Sequence, residues 1–137
     1  MRRPALVPEL FCTDIKHSLT FYTAVLGFTV TYARPEEAFY YLEREGAELM
    51  LDHSQTRRFV NGPLGRTLGR GINLQIDVSD VQALYKSVLN EGLSPFLPLE
   101  EKWYRREEHA AGNWQFVLAD PDGYLLRFFQ NLGTRPA

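Results

Sequence analysis

The sequence predicts an α+β protein made of one βαβββ pattern used twice, and three observations predict it. First, "LVPELFCTDI" at residues 6–15 resembles "INLQIDVSDV" at 72–81, an offset of 66 residues. Second, each copy runs into an amphipathic stretch that ends at a glycine, as a helix with a left-handed cap does. Third, three β-like segments follow each helix. Short turns, "REGA" and "DPDG", join the last two, so that Gly46 matches Gly123 at an offset of 77 residues.

Each copy opens on a strand, then Thr or Ser, then Asp14 or Asp80 before a β-branched residue. A carboxylate at that point accepts the unpaired N–H groups of a helix start. The first helix, "DIKHSLTFYTAVLG", sets Ile15, Leu19, Tyr22 and Leu26 on one stripe. The second, "DVQALYKSVLNEG", does so with Val81, Leu84, Tyr85, Val88 and Leu89, with Gly27 and Gly92 as caps. Strands are expected at "FTVTYA", "AFYYLE" and "AELMLDH", then at "PFLPLE", "WQFVLAD" and "YLLRFFQ". The second copy carries about 11 extra residues, which fall in the charged stretch "EKWYRREEHAAGN" and read as a loop insertion within 101–113. A Gly- and Arg-rich connection, 54–71, joins the halves. The expectation is one domain, 1–137, of two modules at about 5–53 and 71–131. A helix covers one face of each half-sheet, and the other faces curl into a curved mixed sheet around a cleft.

Composition narrows the function. The chain has 137 residues, 45% of them hydrophobic and 23% charged, with a net charge of -2. That size supports a sizeable core, and the charge gives no bulk attraction to nucleic acid or a membrane surface. No apolar run approaches the roughly 18 residues of a membrane span. "MRRPALVPELF" lacks the long apolar region of a signal peptide. The single cysteine, Cys12, excludes an intramolecular disulfide and reads as a small core residue. A cytoplasmic location is therefore expected.

Strand alternation assigns the faces. Pro8, Leu10, Cys12, Leu49, Leu51, Leu74, Ile76 and Val78 face the helices. Val7, Glu9, Phe11, Thr13, Glu48, Met50, Asp52, Asn73, Gln75, Asp77, Leu125, Arg127 and Phe129 face the other way. A sealed core does not tolerate that many polar groups without partners. The face is either a solvated exterior, with Arg127 paired to Glu9 or Asp77, or a wet cleft for a polar, partly aromatic ligand. Trp103 and Trp114, beside Tyr104 and His109, either stack on a flat ligand or pack against a rim or partner. His17 reads as a surface residue on the first helix, and His53 as a strand end near the rim. No Ser-His-Asp or Cys-His arrangement stands out, and "GPLGRTLGRG" lacks the Lys-Ser/Thr of a phosphate loop.

"TDIKHSLTFYTAVLGFTV" and "FVLADPDGYLLRFFQ" resemble the first-helix signature and last hairpin of the vicinal oxygen chelate superfamily. It includes glyoxalase I, extradiol dioxygenases and bleomycin-resistance proteins. The resemblance spans nearly the whole chain and implies the duplicated fold. It also implies four cleft positions where the metalloenzymes carry His, Gln or Glu. Carried over, these fall on Val7, Met50, Asn73 and Arg127, and a slip of two residues substitutes Glu9, Glu48, Asp52 or Gln75. A guanidinium has no lone pair for a metal, so no metal and no cofactor are expected. The implied function is binding without a metal in the manner of bleomycin-resistance proteins, which sequester a cationic antibiotic at a dimer interface. The chain is then expected to be a homodimer. Its ligand-binding cleft comprises Glu9, Phe11, Glu48, Met50, Asp52, Asn73, Gln75, Asp77, Trp103, Trp114, Arg127 and Phe129, with no catalytic residue. The alternative is a metal-dependent lyase, isomerase or dioxygenase of the same superfamily.

Overall fold

Aspartate caps open both helices. The computed structural model describes residues 4–55, 59–65 and 67–137. Asp14 Oδ1 accepts the His17 N–H at 3.1 Å, and Asp80 Oδ1 accepts the Ala83 N–H at 3.0 Å. Gly27 and Gly92 adopt the left-handed conformation, with φ of 80° and 77°. Helix α1 (Ile15–Thr20) widens into a π-helical stretch, Phe21–Val25. The Leu26 N–H there reaches back to the Phe21 carbonyl at 3.1 Å. The wider turn rotates the buried stripe. Ser18, Phe21, Tyr22 and Leu26 are buried, whereas Ile15 and Leu19 of the expected stripe are only half-buried. In α2 (Val81–Asn90), Val81, Leu84 and Val88 are buried and Tyr85 packs edge-on to Phe116. Leu89, expected on that stripe, is 45% exposed, because it lies one turn beyond Tyr85 at the stripe's edge.

The chain forms two units, one running to Ile72 with Asp120–Tyr124 added, the other Asn73–Ala119 with Leu125–Ala137. The first holds strands β1 (Glu9–Cys12), β2 (Thr29–Arg34), β3 (Phe39–Arg44) and β4 (Ala47–His53), in the order β1-β4-β3-β2. The second holds β5 (Asn73–Asp77), β6 (Leu97–Arg106), β7 (His109–Ala119) and β8 (Leu125–Pro136), in the order β5-β8-β7-β6. In each, the first strand pairs parallel to the last and the other pairs are antiparallel. The register repeats as well. Glu9 is the partner of Met50, and Gln75 is the partner of Arg127. Leu10, Cys12, Leu49 and Leu51 are buried in the first unit, and Ile76, Val78, Phe116, Leu126 and Phe128 in the second.

Residues 101–113 are not a loop. They are the outer halves of β6 and β7, a hairpin that turns at residues 107–108, where Glu107 takes a φ of 58°. Strand β8 runs alongside to Pro136, past the expected module end at 131. The charges that suggested a loop are the exposed side chains of an alternating strand. Gly112 lets the Trp103 ring lie against the backbone, since a Cβ there would meet the ring at 2.6 Å. The Arg135 guanidinium covers that ring 3.9 Å from its centre.

The "DPDGY" turn, residues 120–124, is bonded into the first unit. Tyr22 donates its hydroxyl to Asp120 Oδ2 at 2.7 Å, while Asp120 Oδ1 accepts the backbone N–H of Asp122 and of Tyr124. The Thr13 hydroxyl donates to Asp122 Oδ1 at 2.7 Å. The Tyr124 hydroxyl donates to the Phe11 carbonyl at 3.0 Å and accepts the Phe11 N–H at 3.1 Å. Burial raises the pKa of Asp120 and holds that of Tyr22 well above its ordinary value.

Candidate functional site

Each unit presents one face away from its helix, and polar chemistry collects there. In the first unit this face carries Glu9, Phe11, Glu48, Met50 and Asp52, joined from β3 and β2 by Phe39, Tyr41 and Tyr32. The Tyr32 and Tyr41 rings stack at 4.9 Å, and the Tyr41 hydroxyl donates to Glu48 at 2.6 Å. Arg34 lies 4.1 Å from the Phe39 ring centre and pairs with Glu37 at 3.3 Å. A concavity of about 310 Å³ opens here, lined by Glu9, Arg34, Glu36, Glu37, Phe39, Asp52 and Phe59. Among the described lining residues, four carboxylates face one guanidinium, an acidic balance. Burial, and then a hydrogen bond and charge from Asp52, raise the Glu9 pKa, while Arg34 opposes the shift.

In the second unit the corresponding face carries Asn73, Gln75, Asp77, Arg127 and Phe129. A wider concavity of about 490 Å³ is lined by Gln75, Asp77, Tyr104, Arg106, Ala111, Asn113, Arg127, Phe129 and Asn131. Among the described lining residues, two guanidiniums face one carboxylate, the reverse of the first unit. Arg127 donates from Nη2 to Gln75 Oε1 and from Nη1 to the Tyr104 hydroxyl at 3.4 Å. Among the described residues, both its hydrogen-bond partners are neutral rather than the carboxylates expected. Gln115, buried beneath this face, donates from Nε2 to Glu100 at 2.9 Å and to the Tyr104 hydroxyl at 2.6 Å. The Glu100 carboxylate fixes the amide orientation, because flipping it would set two oxygens against each other. Gln115 Oε1 is left without a partner.

The parallel register sets Glu9 beside Met50 and Gln75 beside Arg127, with Asn73 on the same face as Gln75. The structure corrects one expectation about these faces. Trp103 and Trp114 lie on the opposite, helix-side face of the second sheet. Trp114 is two residues from Phe116, which packs on Tyr85, and Trp103 pairs with Gly112 on that side. Both tryptophans therefore stand away from the concavity, whose lining includes Tyr104, Arg106, Asn113 and Asn131, which reading 101–113 as a loop had hidden. The alternation Lys102, Tyr104, Arg106 was the available signal.

His17 is exposed on α1, and His53 Nδ1 accepts the Gln55 N–H at 3.1 Å. Cys12 is buried, and burial pushes its thiol up to about 12. No helix is long and apolar enough to cross a membrane among the described residues.

Duplicated βαβββ units, each with a polar concave face, define the fold class of this chain, and what such a fold binds or transforms is decided by its site. The model of the Glyoxalase/Bleomycin resistance protein/Dioxygenase superfamily matches residues 6–128, and the chain belongs to that superfamily. A bleomycin resistance protein of Geobacillus stearothermophilus is 27% identical over 135 residues, covering 92% of this chain and 96% of that protein. One from Staphylococcus aureus shows the same identity and coverage. Among solved structures, TioX from Micromonospora sp. ML1 aligns with a TM-score of 0.74 at 22% identity, over 94% of this chain and 100% of that one. The virulence protein STM3117 of Salmonella typhimurium aligns at 0.70 and 20% identity, over 95% and 98%. These two likenesses concern the fold.

Among the described residues, no group of three or more His, Cys, Asp or Glu side chains is placed to hold the metal used elsewhere in the superfamily. In the first unit, Glu9 adjoins a thioether and is tied to Asp52. In the second, the Gln75 amide oxygen is taken by Arg127, which has no lone pair to give.

Proposed function

We propose that the chain binds a small, polar, partly aromatic molecule without a metal and holds it unmodified, as the bleomycin-resistance relatives suggest. One observation carries the reading: the equivalent positions in the two units hold Met50 and Arg127, beside Glu9 and Gln75. Neither pair supplies the donors of a divalent site. The acidic, aromatic concavity of the first unit suits a cationic drug such as bleomycin. We further read the protein as a cytoplasmic homodimer, because each four-stranded sheet ends in an edge strand, β2 in the first and β6 in the second, of the kind that pairing commonly covers.

The test is elemental analysis of purified protein, followed by calorimetry with metal-free bleomycin at low salt, before and after chelator treatment. The expected result is substoichiometric metal, binding that survives the chelator, and drug recovered chemically unchanged. About one metal per chain, with binding lost on chelation, refutes the reading. Sedimentation at micromolar concentration tests the dimer.

A further inference from the structure

We infer that the concavity of the second unit is a carboxylate-binding subsite, in which Arg127 and the Tyr104 hydroxyl take the anionic group of the ligand. The inference deepens the binding reading and rests on it only in treating this face as a binding surface.

The argument begins with the Tyr104 hydroxyl. Two groups point at its oxygen: Gln115 Nε2 at 2.6 Å and Arg127 Nη1 at 3.4 Å. Both are obligate donors, so both of the hydroxyl's lone pairs are engaged. Its own proton must leave in another direction, and no described residue accepts it. Gln115 cannot reverse its role, because the same amide nitrogen is held by Glu100 at 2.9 Å. Buried Gln115 therefore orients Tyr104 as a donor toward the concavity.

Arg127 completes the pair. Of its five N–H donors, one goes to Gln75 and one to Tyr104, leaving three. Its guanidinium is held by these contacts and by its place 5.9 Å from the Tyr104 ring centre. A planar fork beside a hydroxyl donor matches a carboxylate, whose two oxygens accept in one plane. Arg106 lines the same concavity, and Asp77 is the one acidic residue among the described lining residues, so their formal balance favours an anion. Phe129 supplies flat apolar surface for a ring bearing the carboxylate.

Three probes of one shape and different charge test this: benzoate, benzamide and benzamidinium, titrated into isotope-labelled protein by NMR. Benzoate is expected to bind about tenfold or more tightly than benzamide, with benzamidinium weakest, and to shift the Arg127 Nε–H and Gln75 side-chain signals. Arg127→Gln should abolish the preference. Tyr104→Phe keeps the ring and should weaken benzoate several-fold while leaving benzamide unchanged. It also decides the matter if Arg127→Gln does not fold. Equal binding of benzoate and benzamide, or a preference that survives in both variants, overturns the subsite. Bleomycin binding with no benzoate preference sinks the subsite and leaves the binding reading standing. Benzoate preference with no bleomycin binding supports the subsite and refutes the drug reading.

Discussion

Removing one oxygen from Tyr124 should cost this protein a large share of its stability. Pro8, just before β1, and Cys12 offer their carbonyls to the β4 side, where the Met50 N–H donates at 2.9 Å and the Ser54 N–H, just past β4, at 2.8 Å. Backbone groups alternate along a strand, so the Phe11 N–H and C=O point to the other edge. There the buried Tyr124 hydroxyl takes both, at 3.1 and 3.0 Å. Tyr124→Phe keeps the ring and deletes both bonds. At about 1 kcal/mol per bond, and up to roughly 1–3 kcal/mol for each backbone group left dry, the loss is about 2–4 kcal/mol. For a domain of this size that lowers Tm by about 6–20 °C. Urea and thermal melts followed by circular dichroism measure it. Tyr32→Phe serves as control, since Tyr32 is 45% exposed and stacks through its ring alone. A Tyr124→Phe loss below about 0.5 kcal/mol, no larger than that of an ordinary surface change, would refute the edge-capping argument.

Gly69→Ala should be more damaging still, because its Cβ would lie 2.2 Å from the Tyr124 backbone nitrogen; soluble, folded protein melting within a degree or two of wild type would contradict it. Acidity should reveal Glu9. Its pKa is raised above 4.5 by burial and by Asp52, so its contribution to stability is fully present below pH 4.5 and is lost as pH rises through the folded value. Glu9→Gln should therefore gain relative to wild type between pH 4.5 and pH 7 in urea titrations, and a constant difference between the two proteins would show that the carboxyl is not perturbed in the fold.

Local chemistry was legible in the sequence and pairing was not. Asp14 and Asp80 cap as their spacing predicts, and Gly27 and Gly92 close the helices, because capping depends on residues three or four apart. Alternation likewise put Leu10, Cys12, Leu49 and Leu51 on one face and Glu9, Met50 and Asp52 on the other. Register is a long-range property. Two repeat offsets, 66 and 77, align the modules, but they do not say which residue of β1 lies beside Met50, and a slip of two preserves every face. The outer hairpin was missed because exposed charges at Glu101, Arg105 and Glu107 look like a loop. With it went the side of the sheet on which Trp103 and Trp114 stand, and the Tyr104–Gln115–Arg127 cluster.

The turn at 120–124 has a consequence for synthesis. A chain emerging from the ribosome N-terminus first makes β1 at residues 9–12 but Tyr124, which covers the outer edge of β1, more than 100 residues later. Until then β1 carries bare backbone donors and acceptors of the kind that recruit foreign strands. The first half is thus expected to wait, unfinished, for the second, and a fragment stopping before residue 120 should aggregate rather than fold.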